Sequence, residues 1–394
     1  MGMSTERERR ARRWVWGCTG GCLGCIVILL VGIYLGVRHF MQPVVVVPPQ
    51  TFLTRDTSAF LFVRVDPQVP LMMETAADVI LRPEVIGVIP IKPGEQIDLD
   101  REKSVDYLSS FAPVQAVLAL QPEKEADVIH GGLAVSVRSG SRLLSALVKQ
   151  GIKAPVTFHE YKGAEIAALS ENAYVALREN NYMSSDREEL LKAWAGNLML
   201  ERQREEQAAQ GGHPPAPALI ISPALKRPYD RLDSSLPIVF ASLNTRHELA
   251  SLTALISNED ARRLIEYTGI VSDGVLSLAG QVRPLSPRDA ELTLFIDCAD
   301  ADLAGRMRDR LEGAAGGSGG DVWPLKDTAV AVQDGTVLKV TGRINDLPAK
   351  VADIVAAVIR RAGQAPAEAP QPPPEPEAPQ EPPAPPEPAP SVST

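Results

Sequence analysis

The amino-acid sequence predicts an α+β protein: a single N-terminal transmembrane helix, then two similar lobes of mostly antiparallel sheet with helices packed on one face, then a disordered Pro-rich C-terminal tail. Three observations predict it. An uncharged run over 14–37 follows a cluster of arginines, strand and helix blocks recur in the same order in two halves, and 13 of the last 32 residues are proline. The 394 residues suit two domains, and 45% apolar with 23% charged residues is ordinary for a folded chain. A formal charge of −9 excludes a strongly basic nucleic-acid face, and four cysteines are too few for a disulfide scaffold of this size.

Residues 1–13 carry Arg7, Arg9, Arg10, Arg12 and Arg13, which hold the N-terminus in the cytoplasm by the positive-inside rule. Residues 14–37 form the membrane helix; 24 residues rise about 36 Å, enough to cross a hydrocarbon core of about 30 Å. Trp14 and Trp16 sit where interfacial aromatic anchors belong. The exit GVRHFMQP has no A-x-A-like cleavage site, so the segment reads as an uncleaved signal-anchor. A lipoprotein cysteine would follow the apolar run, whereas Cys18, Cys22 and Cys25 open it. Within the helix, Gly17, Gly20, Gly21 and Gly24 form overlapping G-x-x-x-G pairs, candidates for helix self-association, and the cysteines read as small packing residues. Lipidation of Cys18 is the alternative.

Residues 38–51 are a tether, with MQPVVVVPPQ extended. The first lobe covers 52–204, a Pro/Gly-rich break 205–218, and the second lobe 219–362. Three blocks match between the lobes. The strand DTSAFLFVRVDP is answered by SSLPIVFASLN at 234–244. The strand and helix of 131–151 are answered by 291–313, which aligns Val137 with Phe295. The hairpin and helix of 171–194, with Leu190, Leu191, Trp194 and Leu198 inward, are answered by 326–355, where Asp334-Gly335 makes a type I′ turn. Such recurrence implies duplication of one unit. The tail, 363–394, has polyproline II character and carries five glutamates and no basic residue.

The strand Asp56–Asp66 behind a membrane anchor, together with SDREELLKA at 185–193 closing a hairpin, resembles a bacterial family of membrane-anchored extracytoplasmic proteins of unknown function. The resemblance spans 52–360 and implies a duplicated α+β ectodomain and nothing catalytic.

Chemistry is sparse. Gly316–Gly320 satisfies G-x-S-x-G, but a helix enters it and no helical pattern follows, the reverse of a nucleophile elbow. His39, His130, His159, His213 and His247 show no metal-ligand spacing. Asp297, Asp300 and Asp302 lack the further ligands of a calcium loop; Asp300 reads as a helix N-cap, with Asp302 in the first turn. Cys298 ends a strand and reads as buried and inert. No cofactor, metal or catalytic residue is expected.

The leading functional reading is a non-catalytic binding or scaffolding protein of the cell envelope, single-pass, with its C-terminus outside. Its expected partners are the lipid bilayer, a second copy through the helix, and another envelope protein, without nucleic acid. The alternatives are a hydrolase-like enzyme assembled from distant loops, or a carrier holding a lipid or small ligand between the lobes.

Overall fold

A computed structural model describes residues 46–83, 100–123, 129–138, 156–211, 221–245, 249, 269–272, 274–316 and 325–352. The basic segment, the apolar run with Gly17, Gly20, Gly21 and Gly24, and the Pro-rich tail lie outside the described residues. Among the described residues no helix is long and apolar enough to cross a membrane.

Seventeen labelled elements follow in order. They are β1 (Ala59–Val65), α1 (Pro70–Ile80), α2 (Arg101–Phe111), β2 (Val114–Pro122), β3 (Ile129–Val137), β4 (His159–Tyr161), β5 (Ala164–Ser170), β6 (Ala173–Arg178) and β7 (Asn181–Ser185). Then come α3 (Glu188–Ala209), α4 (Pro223–Tyr229), β8 (Ile238–Leu243), β9 (Val275–Pro284), β10 (Ala290–Cys298), α5 (Ala301–Gly316), β11 (Lys326–Gln333) and β12 (Val337–Ile344). A 3₁₀ turn over Pro49–Phe52 replaces the end of the extended tether, with Pro49 at its first position.

All the strands among the described residues join one 12-stranded antiparallel sheet, in the order β11-β12-β10-β9-β8-β1-β2-β3-β7-β6-β5-β4. This corrects the expectation of two lobes with separate sheets. The first strands of the two halves pair with each other: Phe60 faces Ala119 of β2 on one side and Ala241 of β8 on the other. The pairing has a plain cause, since each would otherwise present an open row of backbone donors and acceptors at a sheet edge. Outward from this seam the order is β1-β2-β3-β7-β6 one way and β8-β9-β10-β12-β11 the other, so the matched blocks do occupy matched places. Following the ladders places Val137 opposite Cys298 in the repeat, three residues beyond Phe295; Ala134 takes the Phe295 position.

Helices lie on both faces, which corrects the one-face expectation. Phe60, Phe62, Val117, Ala134, Ala176 and Ile166 are buried on one face with Leu190, Leu191, Trp194 and Leu198 of α3 and Leu225 of α4. On the other face Ile296, Leu338 and Val340 pack against Ala304, Met307 and Leu311 of α5. Strands covered on both sides carry apolar residues at both parities, as LTLFI in β10 does. Helix α3 runs on to Ala209, into the stretch read as the interlobe break, where Arg202 and Glu206 add an i,i+4 pair.

Candidate functional site

The region where α3 outruns the sheet holds the most unusual group of the described molecule. Along β6, Tyr174, Ala176 and Arg178 share the face that α3 covers, so the strand's pleat carries the Arg178 side chain inward. Only 8% of Arg178 is exposed. Its Nη1 donates to the carbonyls of Lys162 (2.8 Å) and Ala195 of α3 (2.7 Å). The first acceptor is aimed by the tight β4–β5 turn, where Lys162 and Gly163 both adopt positive φ (49° and 76°). Among the described residues Arg178 forms no ion pair with a carboxylate. Burial, with the nearby charge of Arg202, lowers its pKa from the ordinary arginine value.

Next to it a polar ladder fixes the β6–β7 turn. Ser136 donates to Asn181 Oδ1 (2.6 Å), Asn181 Nδ2 donates to the Arg178 carbonyl (3.3 Å), and Asn180 Nδ2 donates to the Val137 carbonyl (2.8 Å). Glu179, at φ 52°, points to the overhang of α3 and pairs with Arg202. Between the turn and the helix lies a cleft of about 350 Å³, lined by Arg178, Glu179, Arg202, Glu205 and Glu206 with Val47, Leu198 and Ala209 as apolar wall. That is the low end of the size range for small-molecule sites. The Val47 carbonyl accepts from Gln115 Nε2, so the chain enters the sheet beside this cleft.

A second polar groove, about 420 Å³, opens at the other end of α3 between Thr54, Asp56, Gln121, Glu123, Arg187 and Glu189. His130 stands near it: Asp186 Oδ2 lies 3.0 Å from Nδ1, and Asp186 Oδ1 accepts from the Gly131 amide (3.1 Å). Nε2 rests 3.5 Å from Glu123 Oε2 without a hydrogen bond. An imidazole oriented by a carboxylate acts as a general base when its far nitrogen faces a nucleophile. Here that nitrogen faces another carboxylate, so the cluster ties β3 to the start of α3.

The residues singled out in the sequence fall as follows. Asp300 caps α5, accepting from the Leu303 amide (2.7 Å). Asp297 does something the sequence did not suggest: buried on the sheet, it accepts from Arg231 (2.6 Å) and Ser277 (2.6 Å). Cys298 is buried, its thiol 3.6 Å from Met307 Sδ, and burial first, then Asp297 and Asp300, pushes its pKa up to about 11. A thiol so raised is not a nucleophile near neutrality. His159 makes an exposed pair with Glu188 (3.1 Å). Gly316 ends α5, while Gly317–Gly320, His39, His213 and His247 lie outside the described residues. Sequence reasoning missed Arg178 and Glu205; the signal for the first was its parity with Tyr174 and Ala176.

No protein-family profile matches the chain, and no curated protein matches it. Among solved structures, crystal form I of TP0453 is similar at 10% identity and a TM-score of 0.38, covering 80% of this chain and 99% of that one. At that score the likeness does not establish a shared fold.

Proposed function

We propose that this chain is a membrane-anchored extracytoplasmic protein of the cell envelope that binds an anionic group rather than performing catalysis, and that the cleft under the overhang of α3 is its binding site. Buried Arg178 carries the proposal. A charge removed from water is expensive unless a counter-charge compensates it, and two carbonyl acceptors supply only part of that compensation. An anion entering the cleft supplies the rest. The arginine cluster and the apolar run over 14–37 support anchorage with the sheet outside, and the N-terminal helix then binds the bilayer and a second copy through Gly17, Gly20, Gly21 and Gly24. A carrier site between two lobes loses its support, because the seam between the halves is a β-ladder.

The test is a thermal shift of the full chain in detergent with methyl phosphate as probe. Methyl phosphate should raise the melting temperature in a saturable way, and Arg178→Met should abolish the rise while keeping the native circular dichroism. If that variant fails to fold, Arg202→Gln, which spares Arg178, should keep the rise. No saturable shift with the unmodified chain would overturn the reading. Protease added to intact cells should digest the sheet and spare an N-terminal tag; the reverse pattern would overturn the topology.

A further inference from the structure

We infer that the ligand of this cleft is a compact zwitterion, its anionic group inward on Arg178 and its ammonium outward on Glu205; the inference rests on the anion-binding reading above. Two opposite charges line the same cleft without satisfying each other. Arg178 is buried at its inner end and forms no ion pair among the described residues. Glu205 is exposed on the α3 overhang and likewise forms none there, whereas its neighbours are engaged: Glu206 and Glu179 both pair with Arg202.

Arg202 is therefore held between two carboxylates, one more than it neutralises, and among the described residues the lining keeps one cation, Arg178, deep and one carboxylate, Glu205, at the rim outside any ion pair. A simple anion would answer Arg178 and then meet a lining in which three glutamates outnumber two arginines, a like-charge excess that disfavours it. A ligand with a cation a few bonds from its anion answers both ends. Val47, Leu198 and Ala209 offer an apolar wall for the short spacer between the charges. A volume of about 350 Å³ suits a molecule of amino-acid size or somewhat larger. This chemistry, an anion and an ammonium on one short frame, has two sources: a free small zwitterion, and the headgroup of an ethanolamine phospholipid. The cleft's position where Val47 leads in from the N-terminal segment makes both reachable.

Isothermal titration of the full chain in detergent decides it, using O-phosphoethanolamine against methyl phosphate and against ethanolamine. The zwitterion should bind about tenfold or more tighter than methyl phosphate, the worth of one added charge-assisted hydrogen bond. Glu205→Gln, an exposed change that leaves the fold intact, should remove that advantage while methyl phosphate binding holds or tightens. Equal binding of the two phosphates, or an unchanged advantage in Glu205→Gln, would overturn this inference and leave the anion site standing; failure of both phosphates would overturn both. Nanodiscs of phosphatidylethanolamine that compete with O-phosphoethanolamine, where phosphatidylglycerol discs do not, identify the lipid headgroup; no competition from either identifies the free zwitterion.

Discussion

The two halves of the sheet share a topology and treat one of its faces in opposite ways. In the first half, Ala119, Ala134 and Met183 line the face that α3 covers, and Gly132 lets the helix approach. The ladders put Gln281, Phe295, Lys339 and Thr293 at the corresponding places of the second half. Among the described residues a face so substituted takes only the short α4 and the turn after it, which bury Leu225 and place Arg231 on Asp297. The residues after β12 accordingly turn elsewhere: Leu347 joins Val282 and Ala290 on the opposite face, and Ala352 meets Val79 of α1. Topology is thus set by the strand ladders, while the layer that covers them is set by a handful of inward positions. The cleft of the first half has the same origin, because it is formed by α3 extending past the sheet.

Exchanging residues between the halves should break the comparison most severely at Met183. It is 3% exposed in the core, and Met183→Lys installs the second half's residue there without a partner, at a cost of about 3–5 kcal/mol in chemical denaturation. The reciprocal Lys339→Met should stay within about 0.5 kcal/mol, as a half-buried site on an open polar face allows. If both exchanges cost the same, the contrast of faces is wrong.

The next largest effect is expected in the second half's own polar anchor. Arg231→Met leaves Asp297 buried with Ser277 and the more distant Arg227 (3.7 Å), and should cost about 3 kcal/mol. Asp297→Asn, which keeps a hydrogen-bonding side chain, should cost clearly less; equal losses would show that the ion pair is not what holds this segment.

Gly132 sharpens the comparison further. A Cβ there would lie 2.5 Å from Trp194 Cη2 and 2.9 Å from Leu190 Cδ2, so Gly132→Ala should destabilise by about 1–3 kcal/mol through overpacking. The paired change Gly132→Ala with Trp194→Phe should recover part of that loss if the clash is with the indole. The smallest effect is at the hairpin tips. Gly335 has φ 75°, and Gly335→Ala should cost about 1 kcal/mol, while Glu179→Gly, relieving φ 52° at the matching turn, should be neutral or slightly stabilising.

Much of this architecture was legible residue by residue. The spacing of Leu190, Leu191, Trp194 and Leu198 marked the buried stripe of α3, and all four are buried. Asp300 announced the start of α5. Asp334 and Gly335 do take left-handed conformations, though Gln333 pairs with Val337, so the loop includes Thr336 as a third residue. What was not legible is long-range. Nothing in AFLFVRV or IVFASL says that these strands pair with each other, because an apolar strand fits several neighbours equally well. The candidate site was hidden for a related reason. Arg178 ends a short strand as many surface arginines do, and its burial comes from carbonyls 16 and 17 residues away. Glu205 fell within a polar stretch that reads as a break and is helical because α3 continues through it.

The account stands on the seam where the halves join, and amide hydrogen exchange across β1 and β8 measures it most directly. A shared sheet predicts that the β8 amides facing Ala59–Val63 exchange as slowly as those of β2 and β9, and that both halves lose protection in one cooperative step on denaturation. Fast exchange along that side of β8, with the two halves losing protection at separate denaturant concentrations, would contradict it.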